Sequence, residues 1–463
     1  MTASASLPAP LRAFTTGAAP ASEVRAWRTS KDEEFKLIEA PVWESGLTAS
    51  AMSIRLDPNT RCQEVLGFGA ALTEASCSLL GQLDAEARRK ILEDCFGPNG
   101  LRLSVGRTTI GSSDYSLTAY SYDDSEQPDP QLTHFSIDHD LKYILPVLRE
   151  ARQVNREMFY FSSPWSPPAW MKASHTLLGG AMRRHYFPAY AEYMRRFLEG
   201  YAKNGVTIDA ITVQNETDTE QDGNMPAALW GQEYEMEFVK AHLGPALEKA
   251  GLKTKIWILD HNYDLWGRAV DELSDPEVSK YVDGVAWHGY VGEPSSMTRV
   301  HDMFPQKNAY WTEGGPDYTD PAYATDWSKW SSTFTGILRN WARCIVSWNL
   351  VLDEKGRPDI GPFSCGGLVT LDSKTHAVTR SGMYKAFAQY SRAMQRGARV
   401  IASWNSGGGE LPGIAHVAAE NPDGSKVMVL TNQQGGEQKM QVLLGDQAMA
   451  VLLPPDSVTT VVW

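Results

Sequence analysis

The chain is poor in cysteine. It has five in 463 residues (Cys62, Cys77, Cys95, Cys344 and Cys365), odd in number, scattered, and never in a C-x-x-C pair. That speaks against a disulfide framework and against a thiolate zinc site. No apolar run reaches membrane-spanning length. Positive charge is also in deficit, with 43 Lys and Arg against 56 Asp and Glu and a net charge of −13. Nucleic acids and anionic membranes call for a cationic surface, so neither is expected as a partner. No fixed-period repeat is present. Residues 1–22 are rich in Ala, Ser, Pro and Thr but have no basic end and no apolar core, so they are not an intact signal peptide. They read as a flexible tail. Such a tail suits an exported protein, periplasmic or extracellular, whose signal has been removed; it also permits a cytoplasmic one.

What is present is an ordinary globular balance, 42% apolar and 21% charged, with fifteen Trp and eighteen Tyr. Some of these rings can serve as platforms for the flat, C–H-rich faces of sugars. The length suits one large barrel and an accessory domain.

The central stretch is Ile211-Thr212-Val213-Gln214-Asn215-Glu216, a β-branched run that ends abruptly in polar residues. Asn308-Ala309-Tyr310-Trp311-Thr312-Glu313-Gly314-Gly315 repeats that plan. In a parallel barrel, polar groups gather at the C-terminal strand ends because the active site forms there. Two glutamates at two such ends are what glycoside hydrolysis uses. Read alone, the pair fits structural carboxylates as well as catalytic ones.

Strand-then-helix units recur along the chain. The expected strands are Val65–Ala70, Leu101–Val105, Met158–Ser162, Ile208–Val213, Lys255–Leu259, Val282–Trp287, Ala309–Thr312 and Cys344–Trp348. The expected helices include Asp138–Gln153, Phe187–Asn204, Gln232–Ala250 and Ser332–Arg343. Eight alternations predict an α/β fold, a (β/α)8 TIM barrel over residues 61–395. Short strand-like runs at 23–60 and 396–463 predict a β-sandwich built from both ends of the chain.

Several segments stand together in a pattern that resembles the glucosylceramidase-like retaining β-glycosidases, glycoside hydrolase family 30. They are Gly67-Phe68-Gly69-Ala70-Ala71-Leu72-Thr73-Glu74, Arg107 to Ser116, Ser163-Pro164-Trp165-Ser166-Pro167-Pro168, Asn215-Glu216, His288-Gly289-Tyr290, Thr312-Glu313 and Trp348-Asn349-Leu350. The resemblance implies Glu216 as general acid/base and Glu313 as nucleophile. It implies that Asn215 holds a hydroxyl beside the reacting carbon, and that Asp114 and Trp165 hold the distal hydroxyls. Trp348 would be a stacking platform, Arg107 and Tyr290 neighbours of the nucleophile, and His288 a wall residue. Arg107 is expected to keep Glu313 ionised; burial and the second carboxylate are expected to raise Glu216.

Two departures bear on the leaving group. Gly289 stands where the family usually has Trp, and Asp353–Ile360 lacks the aromatic and amide residues of the ceramide-cleaving members. The expected activity is hydrolysis of a β-D-glucoside with retention, through a covalent glycosyl-enzyme and without cofactor or metal. The alternatives are an endo-β-1,6-glucanase, β-xylosidase or β-fucosidase of the same family. From other classes come a non-catalytic carbohydrate-binding barrel and a metal-dependent barrel hydrolase using Asp260, His261 and His288.

Overall fold

The computed structural model describes residues 23–46, 49–409 and 411–463; the tail expected over 1–22 lies outside them. Eight parallel strands close into a barrel in chain order: Gly67–Ala71, Val105–Thr109, Phe159–Ser163, Ala210–Thr212, Lys255–Asn262, Val282–His288, Asn308–Glu313 and Ala342–Ser347. These strands are buried along most of their length because helices cover the outside and side chains fill the inside. Helices Ile144–Val154, Phe187–Lys203 and Trp327–Arg339 belong to that outer layer. The last starts five residues earlier than expected. Residues Asn340 to Arg343, read as its end, instead turn into the eighth strand.

The inner layers follow from period two. Val105, Phe161, Ala210, Trp257, Ala286, Tyr310, Cys344 and Val346, from seven barrel strands, form one apolar cluster. Trp257 and Tyr310 stack in it at 3.9 Å. Two residues further along each strand, on the same inward face, stand Arg107, Ser163, Thr212, His288, Thr312 and Trp348. The fifth strand breaks the count, since Asp260 is three residues beyond Trp257. The ladder makes up the difference with a bulge. Leu259 pairs with Ala286 and His261 with Trp287, so Asp260 is the extra residue. Leu259 and Asp260 both take left-handed backbone there, with φ of 72° and 46°.

Of the remaining strands, Val351–Leu352, Val369–Leu371 and Val378–Arg380 form a small three-stranded sheet and the other ten form one long sheet. Its order is Glu33–Ile38, Arg25–Ser30, Ser457–Val462, Lys426–Asn432, Ile414–Glu420, Arg399–Asn405, Ser53–Glu64, Gln438–Leu444, Gln447–Leu453 and Trp43–Ser45. Residues from distant places in that order, such as Ala26, Met428, Met440 and Met449, share one core. The long sheet therefore folds over on itself as a sandwich appended to the barrel. Ser53–Glu64 crosses the boundary expected at residue 60. Arg399–Asn405 and Gln447–Leu453 are strands that the sequence reading passed over. No helix among the described residues is long and apolar enough to cross a membrane.

Candidate active site

The polar layer above the apolar plug is organised on Asp260, which is fully buried. Its Oδ2 accepts from Arg107 Nη2 at 2.9 Å, Ser163 Oγ at 2.7 Å and Thr212 Oγ1 at 2.8 Å. Its Oδ1 accepts from His288 Nε2 at 3.0 Å and Thr312 Oγ1 at 2.7 Å. Burial alone would raise this carboxyl; the Arg107 charge and His288 hold it far below the carboxylate range instead. Five barrel strands thus meet at one side chain. Asp260 was considered in the sequence only as a metal ligand. With both oxygens engaged by five donors it serves as an anchor, and the metal reading built on it is left without its central ligand.

Arg107 passes this order on to the glutamates. Its guanidinium donates to Glu313 Oε2, and to Asn215 Oδ1 at 2.8 Å. Tyr290 Oη donates to Glu313 Oε1 at 3.0 Å. Glu216 follows the fourth strand with a left-handed φ of 52°. Its backbone N–H donates to the Asp260 carbonyl at 2.9 Å, which ties that unusual backbone to the bulge. Gln221 Nε2 donates to Glu216 Oε2 at 2.5 Å, and His288 Nδ1 lies 3.4 Å from Oε1. Carboxylate oxygens of Glu216 and Glu313 and a ring nitrogen of His288 lie within 4.8 Å of one another.

Could this trio hold a metal? The spacing allows it, but Arg107 already supplies a cation to Glu313. The close approach of the two carboxyls fits a nucleophile and an acid; an inverting pair stands about 6.5–9.5 Å apart to admit a water.

The electrostatics correct one expectation. Burial pushes Glu216 up, but His288 and then His261 and Gln221 outweigh it, so it lies below its ordinary value. Glu313 lies above its own, because burial and the Glu216 charge outweigh His288 and Arg107. His288 is fully buried; burial opposes its charge, but Glu313, Asp260 and Glu216 together raise it to about 9. His288 thus stands between the anchor and the acid/base candidate, hydrogen-bonded to Asp260 through Nε2 and 3.4 Å from Glu216 through Nδ1. The sequence suggests His288 as a wall residue or, in the metal-hydrolase alternative, as a ligand; neither reading anticipates this position.

Trp165, Trp348 and Asp114, the residues expected to meet the sugar, come together beside Arg107. Trp348 stacks on Trp165 with centroids 5.0 Å apart and meets Tyr115 edge-on at 5.9 Å. Arg107 lies over both indoles, at 4.8 and 5.3 Å. Asp114 is buried and its Oδ1 has no partner. Burial raises that carboxyl well above its ordinary value, with Glu313 and Glu216 adding to the effect. Asp353–Ile360, the segment that departs from the ceramide-cleaving members, ends folded against this residue. Ile360 N–H donates to the Asp114 carbonyl at 2.7 Å, and a Cβ on Gly361 would come within 2.6 Å of Asp114 Cβ. At Gly289 a Cβ would come within 2.8 Å of the Trp311 ring, so the missing indole is matched by local packing.

The family models now speak to the whole arrangement. The glycosyl hydrolase family 30 TIM-barrel domain matches residues 65–394, and the family 30 β-sandwich domain matches residues 397–461. The chain belongs to glycoside hydrolase family 30. Within it, the chain is 35% identical to an endo-1,6-β-D-glucanase of Neurospora crassa over 442 residues, 90% of each chain. It is 27% identical to the lysosomal acid glucosylceramidase of Mus musculus over 443 residues, 91% of this chain and 85% of that one. A solved endo-β1,6-glucanase structure superposes with a TM-score of 0.85 at 28% identity, covering 96% of this chain and 100% of the other. As a family 30 protein the chain is a glycoside hydrolase.

Proposed function

We propose that this family 30 enzyme cleaves β-1,6-linked glucan within the chain, with retention of configuration. The glucanase relatives support the linkage more strongly than the glucosylceramidases support a ceramide glucoside, so the endo-glucanase reading replaces β-glucosidase as the preferred one. The observation that carries the mechanism is the approach of Glu216 and Glu313 within 4.8 Å, one of them held by Arg107 and Tyr290. Glu313 attacks the anomeric carbon while the bond to the leaving oxygen breaks and Glu216 gives that oxygen a proton. Glu216 then takes a proton from water, whose oxygen displaces Glu313 from the sugar. His288, whose Nδ1 lies 3.4 Å from Glu216 and whose pKa is raised to about 9, is the neighbouring group from which Glu216 can draw the proton for the first step. Asp114 Oδ1 accepts a distal hydroxyl, Asn215 holds the hydroxyl beside the reacting carbon, and the Trp165–Trp348 pair walls the ring.

Two measurements test this. On β-1,6-glucan, viscosity should fall before glucose accumulates, with a ladder of oligosaccharides whose new ends are first β. Release of glucose alone from chain ends would remove the endo reading, and an α-anomer appearing first would remove retention. On an activated aryl β-glucoside, Glu313→Ala should abolish turnover, whereas Glu216→Ala should regain rate with azide and yield a β-glycosyl azide. Equal loss in both variants without azide rescue would overturn the role assignment.

A further inference from the structure

The connection between the second barrel strand and helix Ile144–Val154 carries Asp114 and Tyr115 to the site and then continues through a second polar cluster. Asp123 is fully buried and Asp129 nearly so, with 7% exposure. Trp170 Nε1 donates to Asp123 Oδ2 at 2.8 Å, and Asp123 Oδ1 is buried with no partner. Asp129 Oδ2 accepts from Thr133 Oγ1 at 2.8 Å, from His134 N at 3.0 Å and from His134 Nδ1 at 2.8 Å. One ligand atom from each of Asp123, Asp129 and His134 lies within 4.8 Å of the other two. Among the described residues neither aspartate has a Lys or Arg in a salt bridge; the single ionisable partner is His134, whose side chain is largely exposed.

Two carboxylates taken out of water side by side are costly unless a cation joins them. Here Asp123 brings to the cluster a carboxylate with one oxygen buried and unpaired. We propose that Asp123, Asp129 and His134 bind one divalent transition-metal ion of the Zn2+ or Mn2+ class. The mixed set of two oxygens and one imidazole nitrogen fits these ions, whereas Ca2+ and Mg2+ prefer oxygen throughout. The ion's part is structural. Asp123 also accepts the Trp170 N–H through its backbone carbonyl at 3.1 Å, and Trp170 closely follows the loop that carries Trp165. A metal on Asp123 would pin together the connections after barrel strands two and three, the two that supply Asp114 and Trp165.

The test uses the full chain, stripped with EDTA, desalted, and titrated with ZnCl2, MnCl2 and CaCl2 by calorimetry and thermal melting. Zn2+ or Mn2+ should bind at one equivalent and raise the melting temperature by about 2–4 °C, with Ca2+ weaker. Asp123→Asn should weaken binding by about tenfold or more, and so should His134→Ala, which removes an exposed ring and spares the core. If Asp123→Asn fails to fold, His134→Ala decides. Binding should persist in the Glu216→Gln/Glu313→Gln double variant, which disables the other cluster of suitable spacing. Three results would overturn the site: no saturable binding by the wild type, undiminished binding in His134→Ala, or loss of binding in the double variant. Tighter binding of Ca2+ than of Zn2+ and Mn2+ would overturn the assigned metal class.

Discussion

Asp260 and Asp140 are both fully buried aspartates with every oxygen engaged, and their surroundings drive them in opposite directions. Asp140 accepts from Tyr120 Oη at 2.9 Å, Tyr122 Oη at 2.6 Å and Tyr201 Oη. Burial wins over these three neutral donors and raises Asp140 to about 6. At Asp260, Arg107 and His288 bring positive charge, and the carboxyl is driven down instead. The number of hydrogen bonds does not decide whether a buried carboxylate stays charged; the charge of its partners does. The tyrosine cage suits a helix-packing role, and the cationic one a centre that must hold other carboxyls in place.

Asp260→Asn should therefore have the largest effect. It takes from Arg107 and His288 the carboxylate they share, costing about 3–5 kcal/mol of stability, and it lets Glu313 shift, for a loss of roughly a hundredfold in kcat/KM. Chemical denaturation and kinetics on an aryl glucoside measure both. A loss no larger than that of Asp140→Asn would erase the contrast.

Asp114 stands between the two cases, buried with one oxygen that has no hydrogen-bond partner. Asp114→Ala should cut kcat/KM on aryl β-glucoside by about ten- to a hundredfold, equivalent to roughly 1–3 kcal/mol. It should also remove most of the preference for glucoside over galactoside. Unchanged discrimination would show that this carboxyl does not read the hydroxyl at carbon 4.

His288 sharpens the comparison from the cationic side. Its pKa is raised from 6.5 to about 9 in the folded protein, so the stability it contributes is complete below about pH 6.5 and is lost as pH rises through about 9. The basic limb of the pH–rate profile should follow the same group. In His288→Asn that limb should move to lower pH, because Glu216 alone then holds the proton. A limb that stays in place would detach His288 from the acid step.

The smallest effect is expected at Asp140. A carboxyl raised from 3.8 to about 6 contributes stability below pH 3.8 that is lost as pH climbs through about 6. Relative to wild type, Asp140→Asn should gain roughly 3 kcal/mol between pH 4 and pH 7, with kcat within about twofold. Melting temperatures of both proteins across that range would show it; parallel curves would mean the tyrosines hold Asp140 near its ordinary value.

Much of this was legible in the sequence. The Gln-Asn-Glu and Thr-Glu-Gly strand ends marked both glutamates, and the eight strand–helix alternations marked the barrel. The misplacement of the second strand has a physical cause. Leu101–Val105 is the apolar run, but the strand is Val105–Thr109, because a barrel holding a buried ion pair puts Arg107 on the inside of a strand. Apolar runs cannot report a polar interior. Asp260 escaped for a related reason: its inward position depends on a one-residue bulge that no periodicity carries. The rim segment at 353–360 was read from what it lacks, while its placement follows from backbone hydrogen bonds to Asp114 that any side chain could accompany.

The sandwich sheet has a consequence for synthesis. Arg25–Ser30 pairs with Ser457–Val462, which is synthesised several hundred residues later. That closing strand also separates Arg25–Ser30 from Lys426–Asn432 in the sheet. At about 5–20 residues per second, the early strand waits roughly 20 to 90 seconds for its partner. Throughout that interval the nascent chain carries an unpaired, adhesive edge, and it still does so once all eight barrel strands have been made, so the vulnerable stretch lies at the sandwich rather than at the catalytic domain.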